Sequence, residues 1–225
     1  MNRFMIRKLV VKDWYFHRGI ILTYLLAGLI SLSLLFFAQS DALFYLGSIL
    51  LFTVLIALGI HLAMSTVINE RKEKTLPFIL SLPITIQEYT SGKIVANMLI
   101  FLVPWFCLLS GTVFVVATKP GLPLGLIPFV VLLLGEILLG YCLILALALV
   151  SESEGWTIFG IVLTNIGFNL FLYYLFNASP MAGTAKNETL IIPPFAWLLA
   201  MAEGLAAVVL LGLTYRIQAQ KTHFL

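Results

Sequence analysis

Apolar residues in this chain come in long runs separated by short polar stretches. Six such runs cover 20–38, 42–68, 94–118, 124–150, 156–176 and 195–215. Each is long enough for the roughly 20 residues that a helix needs to cross a bilayer. The pattern predicts an all-α, polytopic membrane protein with six transmembrane helices. The connections carry turn chemistry. Gln39-Ser40-Asp41 makes a tight hairpin, and Lys119-Pro120-Gly121-Leu122-Pro123 reads as a turn. In Ser151-Glu152-Ser153-Glu154-Gly155, Ser151 and Glu154 have capping-box spacing, which predicts a capped start for the fifth helix. The 177–194 segment is the longest loop on the side opposite the termini, and Pro193-Pro194 turns it back into the sixth helix. Within it, Asn187-Glu188-Thr189 fits a glycosylation sequon that is common by chance. Pro104 should kink the third helix.

Composition closes off other classes. The 225 residues are 61% hydrophobic and 10% charged, with mean hydropathy +1.08. Soluble domains are nearer half apolar and a quarter charged, so this chain cannot cover a water-soluble globule of its size. Cys107 and Cys142 both lie inside apolar runs and read as small buried hydrophobes, not as a disulfide or metal pair. Ala38-Gln39-Ser40 weakly imitates a cleavage site, but the first apolar run is too long for a signal peptide and reads as a retained anchor.

Charge placement orients the bundle. Eleven of the 13 basic residues (Arg3, Arg7, Lys8, Lys12, Arg18, Arg71, Lys72, Lys74, Lys93, Arg216 and Lys221) fall on the side of the termini. Lys119 and Lys186 fall on the other. The positive-inside rule then predicts both termini, and the 69–93 stretch, in the cytoplasm. Residues 1–18 mix basic and aromatic side chains with imperfect helical periodicity, a composition suited to a membrane interface. The plainer reading is a basic tail held by anionic lipid.

Residues 69–93 form the long polar interruption on the predicted cytoplasmic side. They contain a short apolar segment, 76–82, with Thr75 placed to N-cap it, Pro77 in its first turn and Pro83 to end it. Thr85 and Glu88 have capping-box spacing, so another helix should start there. The result is a short crosswise helix whose apolar side chains suit a soluble partner.

The run Glu70-Arg71-Lys72-Glu73-Lys74-Thr75-Leu76-Pro77-Phe78-Ile79-Leu80-Ser81-Leu82-Pro83, followed by Gly92-Lys93, resembles the loop after the second transmembrane helix in permease subunits of type-2 ATP-binding cassette (ABC) transporters. The family often has Gly before the Thr-Leu pair, where this chain has Lys74. The resemblance implies that 69–93 is a coupling loop. In it, Thr75, Leu76, Phe78, Ile79, Ser81, Leu82 and Pro83 would contact a separate ATPase subunit. It also implies an N-terminal interfacial elbow helix over 1–18, a permease domain over 19–225, pairing with a second copy, and location in a cell membrane of the bacterial inner or plasma type.

Little in the chain suggests catalysis. Gly92-Lys93 lacks the upstream Gly and the following hydroxyl of a phosphate-binding loop, so ATP hydrolysis is expected in a partner chain and no cofactor, metal or nucleic acid is implied. Glu136 lies near the middle of the fourth run. It reads either as a polar group on a substrate path or proton relay, or as a protonated carboxyl bonded to a neighbouring helix. Glu203, nearer the surface, favours the second reading. His61 reads as interhelical glue. Asn165 and Asn169, four apart, share one helix face and suit a path, a dimer seam or simple helix packing. Three function classes follow: an ATP-driven exporter subunit, a proton-coupled secondary carrier using Glu136 and His61, and a non-transporting membrane partner of an ATPase. An intramembrane hydrolase would need a nucleophile-base pair or a metal-ligand cluster that the sequence lacks.

Overall fold

The computed structural model describes residues 3–72 and 85–220. They form six long helices: α1 (Arg3–Phe37), α2 (Asp41–Ala63), α3 (Ile86–Thr118), α4 (Leu126–Ser151), α5 (Glu154–Asn177) and α6 (Pro194–Ala219). Beyond Ala63, α2 runs through a π-helical turn, Met64–Ile68, into a last α-turn, Asn69–Lys72. All six are long and apolar enough to cross a membrane. The chain is a helical, multi-pass membrane protein, and six crossings put the start of α1 and the end of α6 on one face, called the terminal face. No strand occurs among the described residues.

Helix α4 is the hub. It packs against α2, α3, α5 and α6 and contributes Phe129, Leu132, Leu134, Ile137 and Leu145 to the core. The outer helices α5 and α6 bury little of themselves, and their exposed side chains include Phe159, Leu170, Met201 and Val208. That is the surface hydrocarbon would cover.

Helices α1 and α3 run parallel and make the most extensive helix pair. Their seam depends on small residues that let two helices approach closely. A Cβ on Gly28 would stand 2.6 Å from the methyls of Leu108, and one on Gly111 would collide with Leu32. Leu9 sits against Gly92 in the same way. Each leucine fills the notch a glycine leaves on the partner.

Length separates the helices into two sets. At 1.5 Å per residue, α1 with 35 residues and α3 with 33 are each about 50 Å long, whereas α4 and α6, with 26, are about 39 Å. With the Asn69–Lys72 extension of α2, the surplus forms a short three-helix stalk on the terminal face. The 73–84 segment leaves from this stalk.

Residues 3–18 are continuous with the first span, since α1 is helical from Arg3 to Phe37. One expectation needs correction: the Ser151–Glu154 capping box does not form. Ser151 ends α4 and its hydroxyl donates to Leu147 O at 2.7 Å, while the N-cap of α5 is Ser153, without a side-chain cap. Glu152 between them adopts a left-handed conformation, φ 58°, which uses Ser151 in the turn instead. By contrast, Thr85 and Glu88 form both bonds of the predicted capping box, at 3.2 and 3.1 Å. Ser40 caps α2 through Leu43 N at 3.4 Å.

On the opposite face, the loop between α5 and α6 folds back onto α4. Gly125 N donates to Asn187 O at 2.9 Å, and Met181 is fully buried. Gly125 is required there, because a Cβ would collide with the carbonyl oxygen of Thr184. Gly125→Ala should therefore cost about 1–3 kcal/mol, the usual scale of overpacking against an immovable neighbour. The check is thermal unfolding in detergent, where Gly183→Ala, with open space at its Cβ, should behave as wild type.

Candidate functional site

The stalk is held together by charges. Lys93, on the second turn-pair of α3, places Nζ 2.9 Å from Asp13 Oδ2 on α1 and 2.8 Å from Glu70 Oε1 on the extension of α2. Lys12 Nζ lies 3.2 Å from the same Glu70 oxygen and 3.5 Å from Asp13 Oδ1. Tyr89 donates its hydroxyl to Glu70 Oε2 at 3.4 Å. The side chains of Lys93 and Asp13 are only 2% and 3% exposed, and that of Glu70 is 16%. Two acids and two bases thus balance, and burial strengthens the attraction between them. Glu70 lies just before the 73–84 segment and Lys93 within the first turns after it. Both roots of that segment are tied to α1.

A chain of hydrogen bonds leads from this cluster toward the middle of the bundle. Asn97, one turn after Lys93, donates Nδ2 to Lys93 O at 3.0 Å. Thr66 Oγ1, in the π-helical turn, lies 2.9 Å from Asn97 Oδ1 and 2.7 Å from Leu62 O, and its single proton serves one at a time. Tyr141 of α4 directs its hydroxyl at Asn97 O and Oδ1, at 3.2 and 3.3 Å, while its ring stacks on Phe101 at 4.1 Å. The π-turn adds one residue to the helical repeat and rotates Thr66 into this network. On the flank, Lys72 pairs with Glu154 at 2.6 Å, and Gln218 donates to Leu149 O.

Tyr141 also borders a small cavity between α2, α4 and α5, of about 20 Å³, lined by Gly59, Glu136, Gly140, Thr164 and Asn165 among others. That is room for about one water, and its lining offers the polar partners a water needs. Asn165 gives one Nδ2 proton to Ile161 O at 2.8 Å, which leaves its other N–H and its carbonyl oxygen for the cavity. Beyond the cavity, Phe52 and Phe168 meet edge to face at 5.5 Å. On their far side a cavity of about 770 Å³ lies toward the opposite face, between α2, α3, α4 and α5.

The predicted residues divide as follows. Glu136 and Asn165 come together at the small cavity. Asn169 is exposed, with Nδ2 on Asn165 O at 2.8 Å, and does not line it. His61 is exposed against Tyr24, with ring centroids 5.9 Å apart, and is not part of the cavity either. Glu203 is buried against Gly135 of α4, next in sequence to Glu136, with Oε1 unpartnered among the described residues. Thr75, Leu76, Phe78, Ile79, Ser81, Leu82 and Pro83 lie outside the described residues. Among the described residues no group of His, Cys, Asp and Glu could hold a metal.

Sequence reasoning missed the ion cluster, although two signals were present. Asp13 is a lone acid spoiling the apolar side of a basic helix, and Lys93 opens an apolar run. Charges that break a pattern in this way tend to be each other's partners. Comparison with known proteins gave no matching family model, no matching curated protein and no matching solved structure.

Removing one member of the cluster strands the others. Lys93→Met should cost about 3–5 kcal/mol, because the buried Asp13 and Glu70 are then left to share the one, partly exposed ammonium of Lys12. The double variant Lys93→Met/Asp13→Leu leaves Lys12 with Glu70 and should recover a substantial part of that loss. Thermal unfolding of the purified protein reads both.

Proposed function

We propose that this chain is the membrane permease subunit of an ATP-driven exporter of the ABC type, powered by a separate ATPase subunit that grips the 69–93 loop. Its termini and this loop face the cytoplasm, in accord with the asymmetry of lysine and arginine. The observation that carries the reading is the attachment of both loop roots to one buried cluster, Glu70 and Lys93 with Asp13. A pull on the loop reaches α2 and α3 directly. It reaches α1 through Asp13 and through the interlocked leucines and glycines of the α1–α3 seam. A loop with no mechanical task would need no such anchorage.

Movement of α1, α2 and α3 relative to the α4 hub would change the contacts around Tyr141 and the cavity that holds Glu136 and Asn165. These residues lie on the path a substrate would take. The apolar faces that α1 and α5 leave exposed are available to a second copy, as the family resemblance implies. Asn169 lies on such a face of α5. The secondary-carrier reading needs Glu136 and His61 to exchange protons. It draws no support from a His61 packed on Tyr24 away from the Glu136 cavity. A non-transporting partner of an ATPase would use the same loop but has no need of the internal cavities.

The test is co-purification from native membranes with an affinity tag on the chain. An ATPase recognised by peptides from its nucleotide-binding loop should be recovered with the wild type. With Leu82→Asp, which puts a charge into the apolar segment of the loop, recovery should fall by about tenfold or more while insertion is unchanged, since an unpaired charge at a contact core costs several kcal/mol. Recovery of the intact chain without any such ATPase would overturn the proposal and favour a carrier.

A further inference from the structure

The large cavity on the face opposite the termini has a chemistry of its own. Its walls are mostly apolar, with Leu51, Phe52, Val115, Phe129, Leu133 and Leu172 among them. Its volume of about 770 Å³ falls within the ~300–1,000 Å³ of ordinary ligand sites. The rim is polar and carries Ser40, Asp41 and Lys119.

Lys119 is the unusual member. Its ammonium donates to Leu35 O and Ala38 O, both at 2.7 Å, and so caps the C-terminus of α1. An ammonium has three protons. The third has no hydrogen-bond acceptor among the described residues, where Nζ stands 5.7 Å from the centroid of the Phe44 ring and no carboxylate pairs with it. Asp41, on the same rim, is not bonded to it.

Depth supplies the second argument. From Asp41 at the rim to Phe52 at the floor, α2 advances 11 residues, or about 17 Å at 1.5 Å per residue. That is about half the ~30 Å hydrocarbon core of a bilayer. Lys119 and Lys93 on α3 are 26 residues apart, or about 39 Å, so each stands near one headgroup level. The cavity is therefore one leaflet deep, apolar along its length, polar at headgroup level with the Lys119 ammonium and the Asp41 carboxylate both on its rim, and closed below by the Phe52–Phe168 pair.

We infer that this cavity binds an acidic amphiphile, with an anionic phosphate or carboxylate head on the third proton of Lys119 and one apolar chain reaching down to Phe52. The site needs neither an ATPase nor a second copy of the chain, and it stands or falls separately from the exporter reading.

The full-length protein in maltoside micelles is titrated with lysophosphatidylglycerol, with a monoacylglycerol of the same chain length, and with glycerol phosphate, using native mass spectrometry and thermal shift. The lysophospholipid should bind about tenfold or more tighter than the neutral monoacylglycerol, the scale of one charge-assisted hydrogen bond. Lys119→Gln should remove that difference, and Lys119→Arg should keep it. Ser48→Trp, which fills the cavity from α2 and leaves Lys119 and the α1 carbonyls untouched, should abolish binding of both lipids. Equal binding of the charged and neutral lipids by the wild type would overturn the inference. So would undiminished lysophospholipid binding by Ser48→Trp. Glycerol phosphate binding as tightly as the lysophospholipid would overturn it too, in favour of a free-phosphate site.

Discussion

A lysine held between two carboxylates, almost out of reach of water, is the constraint on which the terminal end of this bundle depends. Lys93 binds Asp13 and Glu70 at once, and Lys12 supplies the second positive charge. Burying Lys93 and Asp13, with Glu70 half-buried beside them, is expensive unless each is paired. Here the pairing is complete only when α1, the extension of α2 and the start of α3 stand side by side. The cluster thus fixes the mutual position of three helices, and it does so at the point where the 73–84 segment leaves them.

The same two helices are fastened at their other end. Lys119 of α3 bonds the terminal carbonyls of α1, as Lys93 of α3 bonds Asp13 near the start of α1. Between these ends the seam relies on fit, with Leu108 in the notch of Gly28 and Leu32 in that of Gly111. In hydrocarbon, apolar side chains gain little by leaving lipid for one another, so close packing and polar contacts must hold helices together. Helices α1 and α3 use both devices. Helices α5 and α6 use fewer of them and expose more of their surface. That division separates a braced unit, α1 to α3, from the remainder of the bundle.

Polar groups inside the bundle are not scattered. They run from the cluster through Asn97, Thr66 and Tyr141 to the cavity beside Glu136 and Asn165. Each group short of the cavity is bonded to a group on another helix or to a nearby carbonyl. A shift of α3 against α4 would have to break the Tyr141–Asn97 contacts or carry them along. The cavity opens between α2, α4 and α5, where Gly59 and Gly140 leave room. The aromatic pair Phe52–Phe168 separates it from the larger, mainly apolar space above.

The six spans, their turns and the capping box at Thr85 were legible along the chain, because hydrophobic run length and capping chemistry are local properties. So was the asymmetry of charge. Glu136 and Asn165 could be singled out as polar residues out of place. That they share one cavity, while Asn169 and His61 face outward, depends on helix rotation, which uniformly apolar helices do not encode in any amphipathic stripe. The displaced cap of α5 was a choice between two local conformations, and the left-handed Glu152 drew Ser151 into the turn instead. Above all, the sequence could present Lys12, Asp13, Glu70 and Lys93 only as four charges in two distant stretches. Their pairing belongs to the tertiary structure alone, because a buried ion pair is defined by which helices exclude water from it, and that is a property of packing.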